Sequence, residues 1–350
     1  MGYYRGRVAL VALLATISFA TSVIAALPVV RVITDTALTG AAAETGGVRW
    51  ASADSVYLTT MAEGVLEFDL HAKTPARIVF PATRGKCFTC VHLGTSSRYM
   101  VTAFPAFAMA WKRITEPSIH PVPFDVISAL DVRDDRLVFI GSRREKGQWA
   151  PDGAIAWSGT LSKDLADLHP VLFSALGPDA QILGDCGFGD VSAARYLRDG
   201  SYVLVPGVEP GVFLYDPDGK LLYTWQTDRL GFLDRCDISP QNRLLYARDP
   251  EARYQWLNHY RTVEDILPLP EGPALLLREV QSGSTKWSLL ILKRNAPPSK
   301  IDLPIRAPSD VAIAKADIRG KRIVFLIRTY GEWRRGWRPQ PARLIVAELQ

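Results

Sequence analysis

Residues 189–225, GDVSAARYLRDGSYVLVPGVEPGVFLYDPDGKLLYTW, decide the fold. Asp190–Leu197 reads as a strand that runs into Asp199-Gly200. That dipeptide is a strong hairpin signal, because Gly supplies the positive φ a tight two-residue turn demands. Ser201–Pro206 forms the second strand and Gly211–Tyr215 the third. Asp216-Pro217-Asp218-Gly219 turns the chain again, each residue type suited to a turn, and Lys220–Trp225 is the fourth strand. Four short strands with three tight turns make one antiparallel sheet.

The same plan echoes along the chain. A small or acidic residue followed by Val or Ile recurs as Gly47-Val48, Cys90-Val91, Asp131-Val132, Asp190-Val191, Asp237-Ile238, Asp265-Ile266 and Asp310-Val311. A turn follows each pair. After it comes a run rich in β-branched, aromatic and leucine residues, such as Ser55–Thr60, Arg136–Ser142 and Arg322–Arg328. Successive pairs lie 43, 41, 59, 47, 28 and 45 residues apart. An all-strand pattern with a period of roughly 40–50 residues implies blades of a β-propeller. The expected fold is therefore all-β, a seven-bladed β-propeller over residues 47–350. Pro308-Ser309-Asp310-Val311, and Gly189-Asp190-Val191 followed by Asp199-Gly200-Ser201-Tyr202-Val203, resemble generic propeller repeats. The resemblance implies the fold and names no particular family.

Two blades depart from the pattern. In the fifth, Arg243–Asp249 is the expected second strand and Tyr254–Tyr260 the third, with no fourth visible. The seventh ends at Ala342–Leu349 with only three strands. Propellers avoid open edges, so closure calls for a strand from the other terminus. Val29–Asp35 (VVRVITD) is β-rich and fits that place; the alternative is that 31–46 is only a linker.

The N-terminus reads as a membrane address. Arg5 and Arg7 precede an uncharged, mostly apolar run of 23 residues, Val8–Val30. A cleaved signal peptide has an apolar core of roughly 7–15 residues, whereas a spanning helix needs about 20. Length thus favours residues 1–30 as an uncleaved signal-anchor transmembrane helix, while Ala25 and Ala26 keep cleavage as a signal peptide open. The positive-inside rule keeps Arg5 and Arg7 in the cytoplasm and puts the rest outside, in the periplasm if the cell is bacterial. The formal charge of +5 falls to 5 − 2 = +3 without Arg5 and Arg7, which argues against nucleic acid as a partner.

Four cysteines in an exported chain suggest two bridges. Cys186–Cys236 is favoured, then Cys87–Cys90. The C-x-x-C pair lacks the βαβ context of a redox motif and the second pair of a zinc site. No nucleotide loop, nucleophile elbow or EF-hand pattern occurs.

Two groups stand out as candidate sites. Asp131, Asp190, Asp237, Asp265 and Asp310 all fall at the expected starts of inner strands, which line a propeller's channel. Together they would form an acidic ring able to hold a divalent cation such as calcium, since hard cations take carboxylate oxygens. The bland reading gives each Asp a turn hydrogen bond instead. The second group is Trp333, Arg334, Arg335, Trp337 and Arg338, in the expected turn between second and third strands of the last blade. Trp and Arg suit an anionic or saccharide ligand or a protein partner. From Lys286 to Gln350 there are 14 Lys/Arg against 5 Asp/Glu. Of the histidines, His92 alone falls near the channel.

The leading functional expectation is a membrane-tethered, extracytoplasmic binding scaffold; no catalytic constellation stands out, and the only cofactor the sequence suggests is a divalent cation such as calcium on the aspartates. The rivals are a propeller hydrolase or lyase using a cation held by the aspartates, and an accessory subunit of a membrane complex.

Overall fold

The structure is a computed structural model. It describes residues 29–60, 64–81, 92–104, 107–112, 118–121, 124–145, 148–149, 152–161, 167–233, 235–329 and 341–350. Six antiparallel sheets follow one another along the chain. Their first strands are Thr45–Trp50, His92–Thr95, Phe124–Arg133, Ala193–Tyr196, Thr262–Leu269 and Ala312–Arg319. Each of these packs against the next, and the sixth packs against the first, so they form a closed ring of inner strands. We number the sheets as blades I to VI in that order. Each has four strands in meander order, and blade III adds the short strand Gln148–Trp149.

Among the described residues the count is six blades, not the expected seven. The segment expected to be the fifth blade is helical among its described residues: α2, Pro240–Arg248, and α3, Pro250–Leu257. The local chemistry explains this. Ser239 and Asp249 are N-caps, each followed by Pro at the first helical position, where its missing N–H costs nothing. The Asp249 carboxylate accepts from Glu251 N at 3.0 Å and Ala252 N at 3.2 Å. A shorter helix, α1 (Ile182–Asp185), precedes blade IV. All three lie on the side of the ring where inner strands start.

The ring is closed by the strand that the sequence leads one to seek. Val30–Ala37 pairs antiparallel with Arg343–Leu349 and completes blade VI, from Val30 opposite Leu349 to Ala37 opposite Arg343. Arg343 also forms an ion pair with Asp35 across this seam. The core lies between blades rather than within one layer. Leu267, Leu276, Leu289, Ala314, Phe325 and Ile345 fill the space between V and VI, and Val30 joins them. Comparable clusters separate IV from V and VI from I. Alternation along the strands puts successive side chains on opposite faces, and in a ring each face meets a neighbour. The burial of these strands is accordingly near-continuous.

The expected membrane helix at 1–30 lies almost wholly outside the described residues. No helix among the described residues is long and apolar enough to cross a membrane.

Candidate functional site

Charged side chains stand where an apolar plug would be the simpler solution. Arg49, Asp131, Arg195, Asp265, Lys315 and Asp317 come from five of the six inner strands. Blade II contributes Gly94. A Cβ there would lie 3.0 Å from Val132 N and from Leu130 Cδ1, so a larger residue would press blade III back by a few tenths of an ångström.

Each carboxylate bridges to the following blade. Asp131 Oδ2 accepts from Tyr196 N at 2.9 Å, Asp265 Oδ2 from Ala316 N at 3.0 Å, and Asp317 Oδ2 from Trp50 N at 2.8 Å. The last of these ties blade VI to blade I. Arg195 sits at the centre of the group. Its guanidinium donates to Ile266 O at 2.9 Å and Ala316 O at 2.8 Å. It also lies 3.2 Å from Asp317 Oδ1, 3.8 Å from Asp131 Oδ1 and 4.0 Å from Asp265 Oδ1. Arg49 donates to Val48 O at 2.9 Å and approaches Asp265 Oδ2 at 3.8 Å. Three cations thus face three carboxylates, and each carboxylate also accepts a backbone N–H from the next blade.

The titration behaviour follows from this packing. Burial pushes the Asp265 carboxyl up, but Arg195, Arg49 and Lys315 outweigh it and hold it below the ordinary range. Asp131 goes the other way, because burial exceeds the pull of Arg195 and Arg49. Burial lowers the Lys315 ammonium against the opposing fields of Asp265 and Glu264. Lys315 Nζ donates to Glu264 O at 2.6 Å. Beside the axis, Glu264 receives Trp287 Nε1 at 2.8 Å and Ala314 N at 2.5 Å, with Arg278 Nε 3.6 Å away. Burial nonetheless raises its carboxyl to about 7. His92 lines the same axial space, and burial, with Lys315 adding to it, lowers its imidazole to about 3.

What remains open at the axis is small. A cavity of about 20 Å³ is bounded by residues of all six inner strands, among them Arg49, His92, Glu264, Asp265 and Lys315. That is room for about one water molecule.

The five aspartates proposed for a cation ring are dispersed. Only Asp131 and Asp265 lie on inner strands, and both face arginine. Asp190 precedes the inner strand of blade IV and pairs with Arg253 of α3 at 2.9 Å. Asp237 is exposed ahead of α2 and accepts from the Tyr260 hydroxyl at 3.4 Å. Asp310 is exposed in the turn before blade VI's inner strand, where its carbonyl accepts from Arg278 Nη2 at 2.5 Å. Among the described residues no three of His, Cys, Asp and Glu gather closely enough to hold a metal ion. Trp333, Arg334, Arg335, Trp337 and Arg338 lie outside the described residues, as do Cys87 and Cys90. Cys186 and Cys236 are disulfide-bonded, with Cα atoms 5.7 Å apart, and pin the segment before α2 to the end of α1.

The repeat reading passed over Arg49, Arg195, Glu264, Lys315 and Asp317. The signal was available: charged residues at alternate positions inside otherwise apolar inner strands, as in Lys315-x-Asp317.

No protein-family model and no curated protein matches the chain. Among solved structures, a member of the duf4221 family from Bacteroides vulgatus superposes with a TM-score of 0.51 at 8% identity, covering 92% of this chain and 98% of that one. A streptogramin B lyase gives 0.51 at 11% identity, with coverage of 92% and 98%. The chain is a β-propeller. At such identities the likeness extends to the fold and no further.

Proposed function

We propose that this propeller is a membrane-tethered, extracytoplasmic scaffold that binds a partner through its faces. One observation carries the reading: the axial carboxylates are committed to arginines and to the backbone of the next blade, which makes the axis a structural plug. Among the described residues, the cavity at the axis has room for about one water. The faces remain, and propeller faces are broad. On the side where inner strands start, the helical cap exposes Leu244 and Leu245 of α2. Exposed leucines beside one another suit a protein contact.

The tether follows from the basic-then-apolar run at 5–30. It leads directly into the ring-closing strand. That strand begins beside the Arg319–Arg322 turn, because Leu349 N donates to Lys321 O at 2.9 Å and Gln350 N to Val29 O at 2.9 Å. The inner-to-second-strand turns would therefore face the membrane, and the helical cap would point away from it.

Fractionation of cells expressing the full-length chain tests this. The chain should resist alkaline extraction from membranes, and external protease should digest the propeller once the outer permeability barrier is opened. Release by alkali, or protection of the propeller inside sealed spheroplasts, would refute the tethered reading. A hydrolase or lyase would instead show turnover that Asp265→Asn abolishes without lowering the melting temperature.

A further inference from the structure

The fourth strand of each blade forms the rim of the ring, and its outer edge leaves a row of backbone N–H and C=O groups with no partner in its own sheet. Five of the six rim strands carry residues that discourage further pairing. Thr74–Pro81 has Pro75 and Arg77, Ser118–Pro121 has Pro121, and His169–Phe173 has Pro170. Ser299–Ala307 has Lys300, Pro304 and Arg306, and Val30–Ala37 has Arg31 and Asp35. Proline and charge are the usual means of blunting an edge. The rim strand of blade IV, Leu221–Trp225 (LLYTW), has neither.

That strand is also apolar toward solvent. Leu221, Leu222 and Tyr223 are 48%, 44% and 37% exposed. Leu222 and Tyr223 leave opposite faces of the strand, so both of its sides meet water. Among the described residues it pairs only with Val212–Tyr215, through a register that contains one bulge. Its far end is anchored, since Trp225 is buried, donates to Lys293 O at 3.1 Å and meets the Tyr223 ring at 4.9 Å. An anchored, open, apolar edge is complementary to an extended segment that adds as a further strand. The charges at its ends say which segment. In the turn before it, the Asp216 carboxylate accepts from Asp218 N and Lys220 N at 2.9 Å, and Asp218 lies 3.5 Å from Arg136. Lys220 is the exposed charge left there, and Asp228 stands exposed beyond the other end. Two antiparallel copies of this strand bring the Lys220 end of each beside the Asp228 end of the other. An uncharged middle suits self-pairing too, because a charge near a two-fold axis would face its like.

We infer that Leu221–Trp225 is a homodimer contact, in which the strand pairs antiparallel with the same strand of a second copy about a two-fold axis near Tyr223. The two copies of blade IV then join as one continuous sheet. Tyr223 faces Tyr223, and Leu222 of each copy lies opposite Thr224 of the other. The contact is on the rim of the ring, not on its faces, and does not rest on the tethered reading. It is compatible with that reading. Sheets twist by about 20–25° per strand, so a fourth strand lies roughly 60–75° from the inner one and close to the plane of the ring. The two-fold axis then runs near the propeller axis, and both copies turn the same side to one membrane.

The test is cysteine cross-linking of the full-length chain in detergent micelles, on a Cys87→Ser/Cys90→Ser background. Tyr223→Cys should give a disulfide-linked dimer on mild oxidation, because facing positions of an antiparallel pair lie within disulfide reach. Ile33→Cys, on the rim strand of blade VI and 49% exposed, should stay monomeric. Sedimentation of the background chain should show a concentration-dependent dimer with a Kd on the order of 10 µM, since two short strands bury less than a standard interface. Leu222→Lys/Tyr223→Lys changes only exposed positions, and a thermal melt checks that it folds. It should weaken the dimer about tenfold or more, because it sets like charges across the axis. If the chain stays dispersed without detergent, the tethered reading fails, and the same measurements in buffer still test the strand. A monomer up to about 100 µM with no cross-link through Tyr223→Cys would overturn the inference and leave the edge to a strand of another protein. Equal cross-linking through Ile33→Cys, or an undiminished dimer in the folded lysine variant, would overturn it as well.

Discussion

Asp317 is the carboxylate whose loss should be felt most, because it joins the last blade to the first. Its Oδ2 takes the Trp50 N–H at 2.8 Å and its Oδ1 lies 3.2 Å from Arg195. Asp317→Asn keeps an acceptor for Trp50 and removes the charge. Arg195 is then left with Asp131 and Asp265 no nearer than 3.8 Å and 4.0 Å. Breaking one side of a buried pair costs about 3–5 kcal/mol, and the two remaining carboxylates reduce this to roughly 2–3 kcal/mol. Asp317→Ala also orphans the Trp50 N–H, which adds about 1–2 kcal/mol. At about 2 °C per kcal/mol for a chain of this size, the two variants should melt about 5 °C and about 8 °C early. Urea unfolding followed by circular dichroism measures both. A cycle with Arg195→Met should give a coupling energy of about 1–3 kcal/mol, because the pair is in contact. Stability losses below about 1 kcal/mol in both single variants, or no coupling, would refute the claim that the plug holds the ring together.

Three further outcomes follow from named contacts. Glu264 titrates near 7 in the fold against an ordinary 4.5, so its contribution is complete below about pH 4.5 and is lost as pH rises through about 7. Wild type should therefore lose stability relative to Glu264→Gln across that window, by about 2–3 kcal/mol, when urea midpoints are compared pH by pH; parallel curves would count against a buried Glu264. The Cys186–Cys236 bridge closes a separation of 50 residues, so Cys186→Ser/Cys236→Ser should cost about 2–4 kcal/mol and raise hydrogen exchange in α1 to α3 before the blades; uniform exchange would contradict a local staple. Gly272 has φ +142°, and a Cβ there would sit 2.3 Å from Leu292 O, so Gly272→Ala should cost about 2 kcal/mol or more; an unchanged melt would refute that crowding.

How much of this was legible in the sequence depends on which force set each feature. Blade IV was readable strand by strand, because Asp199-Gly200 and Asp216-Pro217-Asp218-Gly219 are local turn signals that need no partner. The closing strand was readable because a three-stranded end leaves an edge that something must cover. The false blade arose where an Asp-Ile pair and leucine-rich runs imitate strands. Ser239-Pro240 and Asp249-Pro250 were better guides, since an N-cap followed by Pro is a local helix start, and the 28-residue interval was already too short for a blade. The axial site was the least legible part. A buried arginine such as Arg195 becomes meaningful only when blades far apart in sequence bring Asp131, Asp265 and Asp317 around it, and no spacing along the chain encodes that encounter.

The central claim, that the axial carboxylates are structural and already satisfied, is tested most directly by a calcium titration of thermal unfolding on the wild-type chain. Ligand that binds only the folded state raises the midpoint with concentration. The midpoint should stay within about 1 °C at every calcium concentration, because the carboxylates are held by Arg195, Arg49 and backbone N–H groups. A saturable rise that disappears in Asp265→Asn would contradict it and restore the axis as a cation site.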